Sequence, residues 1–262
     1  MNSRNWQNTC LQVLLDLVYP LICIQCRQPI PKLYRSLQLC FHCRHQISHN
    51  VPPFCALCSR HLITTDTSLC PECHKQNYHF DRVFGACFYD KALRSLLHHF
   101  KYGQKTVLRR IFAHKIITFI NTYHLFSDLK ASCLIPVPLH NTRLKERGYN
   151  QSELIAIILA KHLKIPILTD CVIRTRYTKN QAVVTKKERW TNTTGAFKIK
   201  HSYRLKDINI LLFDDLYTTG ATTSEIARIL KLAGANQVTV LTLAIASKEN
   251  RKDFESGREF RT

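Results

Sequence analysis

The run Asn209-Ile210-Leu211-Leu212-Phe213-Asp214-Asp215-Leu216-Tyr217-Thr218-Thr219-Gly220-Ala221-Thr222-Thr223 limits the fold of this chain more than any other stretch. Ile210 to Phe213 is apolar without polar alternation and too short for a helix, the pattern of a parallel strand buried on both faces. Such a strand needs cover above and below its sheet, so the chain is expected to be α/β, a doubly wound parallel sheet. The helix expected after the loop carries Ile226, Ile229, Leu230 and Ala233 at helical spacing. Thr222 or Thr223 is its expected N-cap and Gly234 its left-handed C-terminal cap.

A strand that feeds a helix through Thr-Thr-Gly-Ala-Thr is a device for holding phosphate. Gly220 lets backbone approach a ligand, the loop and helix N–H groups point at it, and the helix dipole favours an anion. Hydroxyls of Thr218, Thr219, Thr222 and Thr223 add donors. Two adjacent carboxylates, Asp214 and Asp215, suit sugar hydroxyls, or a hydrated Mg2+ shared with them, better than phosphate itself. The stretch therefore describes a sugar phosphate, with the acids on the ribose diol and the loop on the 5′-phosphate.

With 262 residues the chain has room for one sizeable α/β domain and a smaller unit. Its 38 Lys and Arg outnumber 18 Asp and Glu, a formal charge of +20 that attracts polyanions without choosing among them. Twelve cysteines are present. The apolar stretch Leu11 to Ile22 is broken by Asp16 and Pro20, lacks a small-residue cleavage site, and falls short of the roughly 18 residues a membrane span needs. A reducing cytoplasm, with the thiols on metal and no membrane span, is the expectation.

Eight of the cysteines form four Cys-x-x-Cys pairs: Cys23/Cys26, Cys40/Cys43, Cys55/Cys58 and Cys70/Cys73. Each pair offers two corners of a thiolate tetrahedron and a second pair closes it, so the segment makes two four-cysteine Zn2+ sites. Consecutive pairing gives two zinc ribbons, and interleaved pairing is the alternative. The segment Cys23 to His74 has little else to bury, so metal is expected to fold it, and four thiolates per ion leave no open catalytic position. His42, His45, His49, His61 and His74 lie near enough to replace a ligand, which four complete pairs do not require. Ahead of the pairs, Trp6 to Leu17 reads as an amphipathic helix ending at Pro20.

From Asn77 the pattern changes to that of the larger domain. Strands are expected at Val83 to Tyr89, Ser132 to Val137 and Gln237 to Ala246. Helices are expected at Lys91 to Phe100, Val107 to Phe126 and from Gly148 through Leu163, with Lys101-Tyr102-Gly103 as a turn. The expected limits are therefore 1–76, 77–246 and a charged disordered tail over 247–262. Arg143, Lys145 and Arg147 follow the strand end Pro136-Val137-Pro138-Leu139-His140, three cations within reach of one anion.

Leu-Leu-Phe-Asp-Asp-Leu-Tyr-Thr-Thr-Gly-Ala-Thr closely resembles the phosphoribosyl-pyrophosphate (PRPP) signature of type I phosphoribosyltransferases. Zinc ribbons, then Val-Pro-Leu-His, Arg-Gly-Tyr-Asn-Gln-Ser and the PRPP signature, resemble in that order the ComF (ComFC) family over nearly the whole chain. Lys179-Asn180-Gln181 and Glu188 to Asn192 also look like family positions. The resemblance implies a phosphoribosyltransferase fold and a PRPP site made of Thr218, Thr219, Gly220, Ala221 and Thr222 with Pro138, Leu139, His140, Arg143 and Arg147. It gives Asp214 and Asp215 the catalytic place, on ribose and Mg2+. It further implies a role in natural competence and DNA uptake, with a helicase-type partner.

Arg174 to Phe197 is dense in cations and hydroxyls. It fits a flap over PRPP that excludes water, or equally a strip for single-stranded DNA, with Arg174, Arg176, Lys186, Lys187 and Arg189 on phosphates and Tyr177 and Trp190 stacking on bases. Two functions therefore stand side by side. One is a PRPP-binding protein of DNA uptake. The other is an active phosphoribosyltransferase that moves a pentosyl group from Mg–PRPP to an acceptor. No cysteine follows Met1 closely enough to serve a glutaminase, the first being Cys10.

Overall fold

The computed structural model describes residues 20–31, 36–63, 66–125, 131–177, 186–200 and 205–246, the side chains of residues 186 and 187 excepted. The expected helix over Trp6 to Leu17, Lys179-Asn180-Gln181 and the tail from Ser247 lie outside the described residues. Strand β5 (Asn209–Tyr217) pairs with β6 (Gln237–Ile245) on one side and β2 (Cys133–Pro136) on the other. Beyond β6 lies β1 (Arg82–Phe88), so the order is β1-β6-β5-β2 with every pairing parallel. The buried strand expected over Ile210 to Phe213 runs on through both aspartates to Tyr217, because β6 stays in register with it as far as Tyr217 opposite Ile245.

Both faces of the sheet are covered, as an apolar run without alternation requires. Leu211, Phe213, Leu241 and Leu243 point into one core, under α3 (Lys91–Tyr102), α4 (Leu108–Thr122) and α6 (Gln151–Leu163). Ile210, Leu212, Val238 and Val240 point into the other, under α8 (Ala221–Leu232) and an antiparallel pair, β3 (Val172–Arg174) with β4 (Phe197–Ile199). Helix α3 shows how local sequence sets a boundary. Asp90 caps it by accepting from the Leu93 N–H at 2.8 Å, and Leu93, Leu96, Leu97 and Phe100 fall on its buried face. The helix reaches Tyr102, so Lys101, expected in a turn, stands on the last helical turn.

The start of α8 differs from expectation. Gly220, at φ +78°, is the N-cap, and no side chain caps the helix. A left-handed glycine turns β5 directly into the helix, which places Thr222 and Thr223 inside its first turn, where the Thr223 hydroxyl donates to the Gly220 carbonyl at 3.1 Å. At the other end Gly234 is left-handed (φ +96°) just past the C-cap, as expected.

The cysteine-rich segment is built onto the sheet. Ser48 to Asn50 lie antiparallel to β1 and cover its edge, with Asn50 N–H on Ala86 O at 2.9 Å and Phe88 N–H on Ser48 O at 3.1 Å. Short helices α1 (Phe41–His45) and α2 (Pro71–Lys75) carry Cys43 and Cys73. Cys23 and Cys43 belong to the first core, whereas Cys55, Cys58, Cys70 and Cys73 belong to the second, so the two four-cysteine units straddle the sheet. Among the described residues no helix is long and apolar enough to cross a membrane.

Candidate functional site

The carboxyl ends of β2 and β5 bring three kinds of chemistry together. At the centre is the acid pair. Asp215 is 3% exposed, and the ammonium of Lys101 forms an ion pair with it. Gln151 donates to its other oxygen at 3.0 Å, and Arg147 in turn donates to Gln151. Asp214 Oδ1 accepts from the Ser152 hydroxyl at 3.3 Å and from the Asp215 N–H at 2.9 Å. The two carboxyls titrate apart. Burial, and after it the charge of Asp215, pushes Asp214 up to about 7. Burial would raise Asp215 as well, but the charge and hydrogen bond of Lys101, with the Gln151 bond, outweigh it and hold Asp215 below its usual value. Lys101, which burial would lower, is raised by the same partner.

Beside the pair is a cavity of about 180 Å³ lined by Lys101, Tyr102, Leu139, His140, Arg143, Arg147, Gln151, Arg174 and Tyr177. Four of these are permanent cations and the acid pair lies behind one of them. The loop after β2 supplies the floor, and the next helix, α5 (Asn141–Arg147), brings in Arg143 and Arg147. His140 caps α5, its Nδ1 accepting from Thr142 N–H at 3.2 Å. Gly148 at φ +80° ends α5, and each following residue of the Tyr-Asn-Gln-Ser run has a task. Tyr149 donates to the Phe100 carbonyl of α3, and Asn150 caps α6 while donating to the Val137 carbonyl at 3.1 Å. Gln151 and Ser152 hold the acids. The motif thus bolts the cation loop to the carboxylates.

The third part is the loop from Thr218 to Thr222. Arg60 donates to the Thr218 carbonyl, and the Tyr78 hydroxyl donates to the Thr219 carbonyl at 3.2 Å. Across a trans peptide the C=O and the following N–H point in opposite directions. Fixing those two carbonyls toward Arg60 and Tyr78 therefore turns the N–H groups of Thr219 and Gly220 the other way, and neither bonds to anything among the described residues. Two such donors at the start of a twelve-residue helix form an anion nest. A Cβ on Gly220 would come within 2.6 Å of the Tyr217 hydroxyl and 2.8 Å of Tyr78, so only glycine fits. Arg189, on α7 (Lys186–Thr193), reaches the Thr218 hydroxyl at 3.4 Å.

The eight paired cysteines form two separate groups, Cys23/Cys26/Cys40/Cys43 and Cys55/Cys58/Cys70/Cys73, each with all ligand atoms within 4.8 Å of one another. That is the consecutive pairing. Sulfurs around a tetrahedral Zn2+ at about 2.3 Å stand roughly 3.8 Å apart, and here Cys26–Cys40 are 3.8 Å and Cys58–Cys70 are 3.6 Å. Backbone N–H groups point at the sulfurs, Cys70 on Cys55 at 3.3 Å and Cys40 on Cys23 at 3.5 Å, as befits thiolates. Both sets fit structural zinc. None of the nearby histidines joins either group; His61, for example, bonds to the Val51 carbonyl at 2.9 Å.

Of the site residues expected from sequence, Leu139, His140, Arg143 and Arg147 line the cavity, Pro138 is buried, and Thr218 to Thr222 form the loop that follows the acid pair. The candidates for DNA phosphates are dispersed. Arg174 lines the cavity, Arg189 touches the Thr218 to Thr222 loop, and exposed Arg176 donates to the Thr194 carbonyl. Backbone is described for Lys186 and Lys187 at the start of α7, their side chains are not. Sequence reasoning missed Lys101, Gln151, Ser152 and Arg60 as site residues. A lysine just ahead of a Tyr-Gly turn carried no pattern, because its partner is more than a hundred residues away. Gln151 and Ser152 could have been found, since they stand next to the cation loop in a motif already singled out.

Residues 14–74 match the double zinc ribbon domain. The chain is similar to competence protein F of Haemophilus influenzae, with 30% identity over 228 residues that span 86% of this chain and 96% of that protein. It is also similar to the DNA utilization protein YhgH of Shigella flexneri, with 28% identity over 220 residues, 78% of this chain and 96% of the other. Among solved structures, the purine phosphoribosyltransferase of Pyrococcus horikoshii shares 18% identity with a TM-score of 0.36, over 51% of this chain and 73% of that one. A parallel sheet with the acid pair and glycine loop at the carboxyl end of an inner strand, preceded by two four-cysteine units, is an α/β fold with an N-terminal zinc-ribbon segment.

Proposed function

The chain belongs to the competence protein F (ComF) family, and on that premise we propose that it binds PRPP, or a closely related ribose 5-phosphate, at the carboxyl ends of β2 and β5 and acts in DNA uptake. One observation carries the reading. Lys101, Arg143, Arg147 and Arg174 gather around a single cavity that adjoins a buried acid pair, with a loop of outward N–H groups beyond it. The order cations, acids, anion nest matches pyrophosphate, ribose and 5′-phosphate along one ligand. Arg143, Arg147 and Arg174 would neutralise the pyrophosphate. Asp214, which makes no ion pair among the described residues, would accept from the ribose hydroxyls and hold a hydrated Mg2+, which would supply further positive charge to the pyrophosphate oxygens. Thr219 and Gly220 N–H groups, with the hydroxyls of Thr218 and Thr222, would hold the 5′-phosphate.

Calorimetry with PRPP and Mg2+ tests this directly. Arg143→Ala/Arg147→Ala should weaken binding at least about tenfold, since each cation removed takes away a charge-assisted hydrogen bond. Equal heats in both proteins, or none in the wild type, would remove the site.

The same cations support the second reading, an active transferase. In such a transfer the bond from ribose C1 to pyrophosphate breaks, its electron pair leaves with pyrophosphate, and an acceptor nucleophile bonds to C1. Pyrophosphate release in the presence of candidate acceptors, absent without them, decides between carrier and catalyst.

Single-stranded DNA fits the rim of the cavity. Tyr102 is 53% exposed with the Arg147 guanidinium 5.2 Å from its ring centre, and Tyr177 carries Arg143 at 5.7 Å. Exposed aromatic faces beside cations suit bases and phosphates in alternation. Affinity for an oligonucleotide should fall steeply as salt rises; binding indifferent to salt would remove DNA from the proposal.

A further inference from the structure

Arg60 sits between Cys58 and Cys70 and is only 6% exposed. Its Nε donates to the Ala246 carbonyl at the end of β6 at 2.9 Å, and one terminal nitrogen donates to the Thr218 carbonyl. The other terminal nitrogen lies 3.8 Å from the Glu72 carboxylate and 3.9 Å from Cys70 Sγ, and the guanidinium carbon is 5.4 Å from the centre of the Tyr217 ring. One buried side chain thus joins a sulfur of the second four-cysteine site to the first carbonyl of the phosphate loop, across 158 residues of sequence. That carbonyl is the one whose direction fixes the Thr219 N–H.

We propose that Arg60 is a positioning residue through which metal in the second four-cysteine site sets the geometry of the phosphate loop. Four thiolates around one Zn2+ carry a net charge of −2 (four times −1, plus 2), and a buried guanidinium beside them is compensated. Without the ion nothing holds the four sulfurs together, so the segment that carries Arg60 between Cys58 and Cys70 loses its frame, releasing Thr218 O and Ala246 O. The Thr219 N–H loses its orientation with the carbonyl, and the anion nest opens. Zinc occupancy would therefore gate ribose-phosphate binding. The first four-cysteine site is an internal control: Cys23 and Cys43 lie in the core on the opposite face of the sheet. The ligand half of this proposal rests on the PRPP reading above; the coupling of metal to loop does not.

Hydrogen–deuterium exchange on the full-length, zinc-loaded protein reads the coupling at the amides of Ala221, Ser224 and Ala246, which bond within the loop or to β5 beside it. Arg60→Lys should keep two zinc ions per chain yet raise exchange there at least about tenfold, the effect of losing one hydrogen bond from a charged donor. Cys70→Ser should raise the same amides, and Cys40→Ser should not. Unchanged exchange in Arg60→Lys overturns the proposal. So does an equal rise in both cysteine variants, or a rise that spreads evenly into α4 and α6. Linkage adds a reciprocal arm: PRPP with Mg2+ should slow zinc transfer to a chromogenic chelator from the second site, and Arg60→Lys should abolish that slowing. If PRPP does not bind at all, the proposed function falls while the exchange result stands, so the two fail separately.

Discussion

Asp214→Asn should make this protein more stable and its ligand site worse. The substitution keeps the shape and the Oδ1 acceptor that receives the Ser152 hydroxyl and the Asp215 N–H, and it removes only the charge. In the folded wild type the Asp214 carboxyl is pushed from 3.8 up to about 7, by burial first and Asp215 second. A raised folded pKa favours the protonated form, so the contribution of this group is complete below about pH 4 and is lost as the pH climbs through about 7. Roughly three pKa units at 1.36 kcal/mol each set a ceiling near 4 kcal/mol, and coupling to Asp215 reduces this to about 2–3 kcal/mol at pH 8. Asparagine never ionises and escapes that loss. The variant should therefore match the wild type at about pH 4 and melt about 4–10 °C higher at pH 8. Differential scanning calorimetry at both pH values, at fixed free zinc, measures this, since the titration of the thiols cancels between the two proteins. Equal or lower stability at pH 8, or an offset that ignores pH, would refute the argument that Asp214 is a strained carboxylate. Stability gained by removing a group the ligand needs is the usual signature of a binding site.

Lys101→Met strands the buried carboxylate of Asp215. It should cost about 3 kcal/mol at pH 7, the lower end of the range for a broken buried pair because Lys101 is 18% exposed. Asp215 is a depressed carboxyl, so its wild-type contribution is present above about pH 4 and lost as the pH falls below it; chemical denaturation should find the deficit of Lys101→Met shrinking below about pH 4, and a pH-independent deficit would contradict the pairing. Gly220→Ala forces a Cβ against Tyr217 and Tyr78 at a left-handed φ; a loss of about 1–3 kcal/mol is expected, together with loss of PRPP heat, and a variant that binds normally would show that the loop is not the phosphate cradle. Native mass spectrometry should count two zinc ions per chain, and chelation should abolish the cooperative melt of the N-terminal segment. Any other stoichiometry contradicts the consecutive pairing.

Several devices of this protein are local, and sequence alone determined them. The apolar run Ile210 to Phe213 needed cover on both faces, and it received it, because successive side chains of a strand point to opposite faces and all four are apolar. Spacing of two residues within each Cys-x-x-Cys pair determined the metal chemistry. Acids, threonines and glycine in one short stretch carried the sugar-phosphate proposal before any fold was in hand. What sequence left open depends on partners distant in the chain. Whether the four-cysteine pairing is consecutive, where Arg174 and Arg189 point, and that Lys101 faces Asp215 were all decided by how helices and ribbons settle on the sheet. The N-cap of α8 was misplaced for a related reason: a left-handed glycine can start a helix where a threonine cap seemed required, and the sequence carries both. Arg60 is the clearest case. Nothing in Cys-Ser-Arg-His marks that arginine, and only burial between a thiolate cluster and a loop carbonyl, where an unpaired charge is costly, gives it a role.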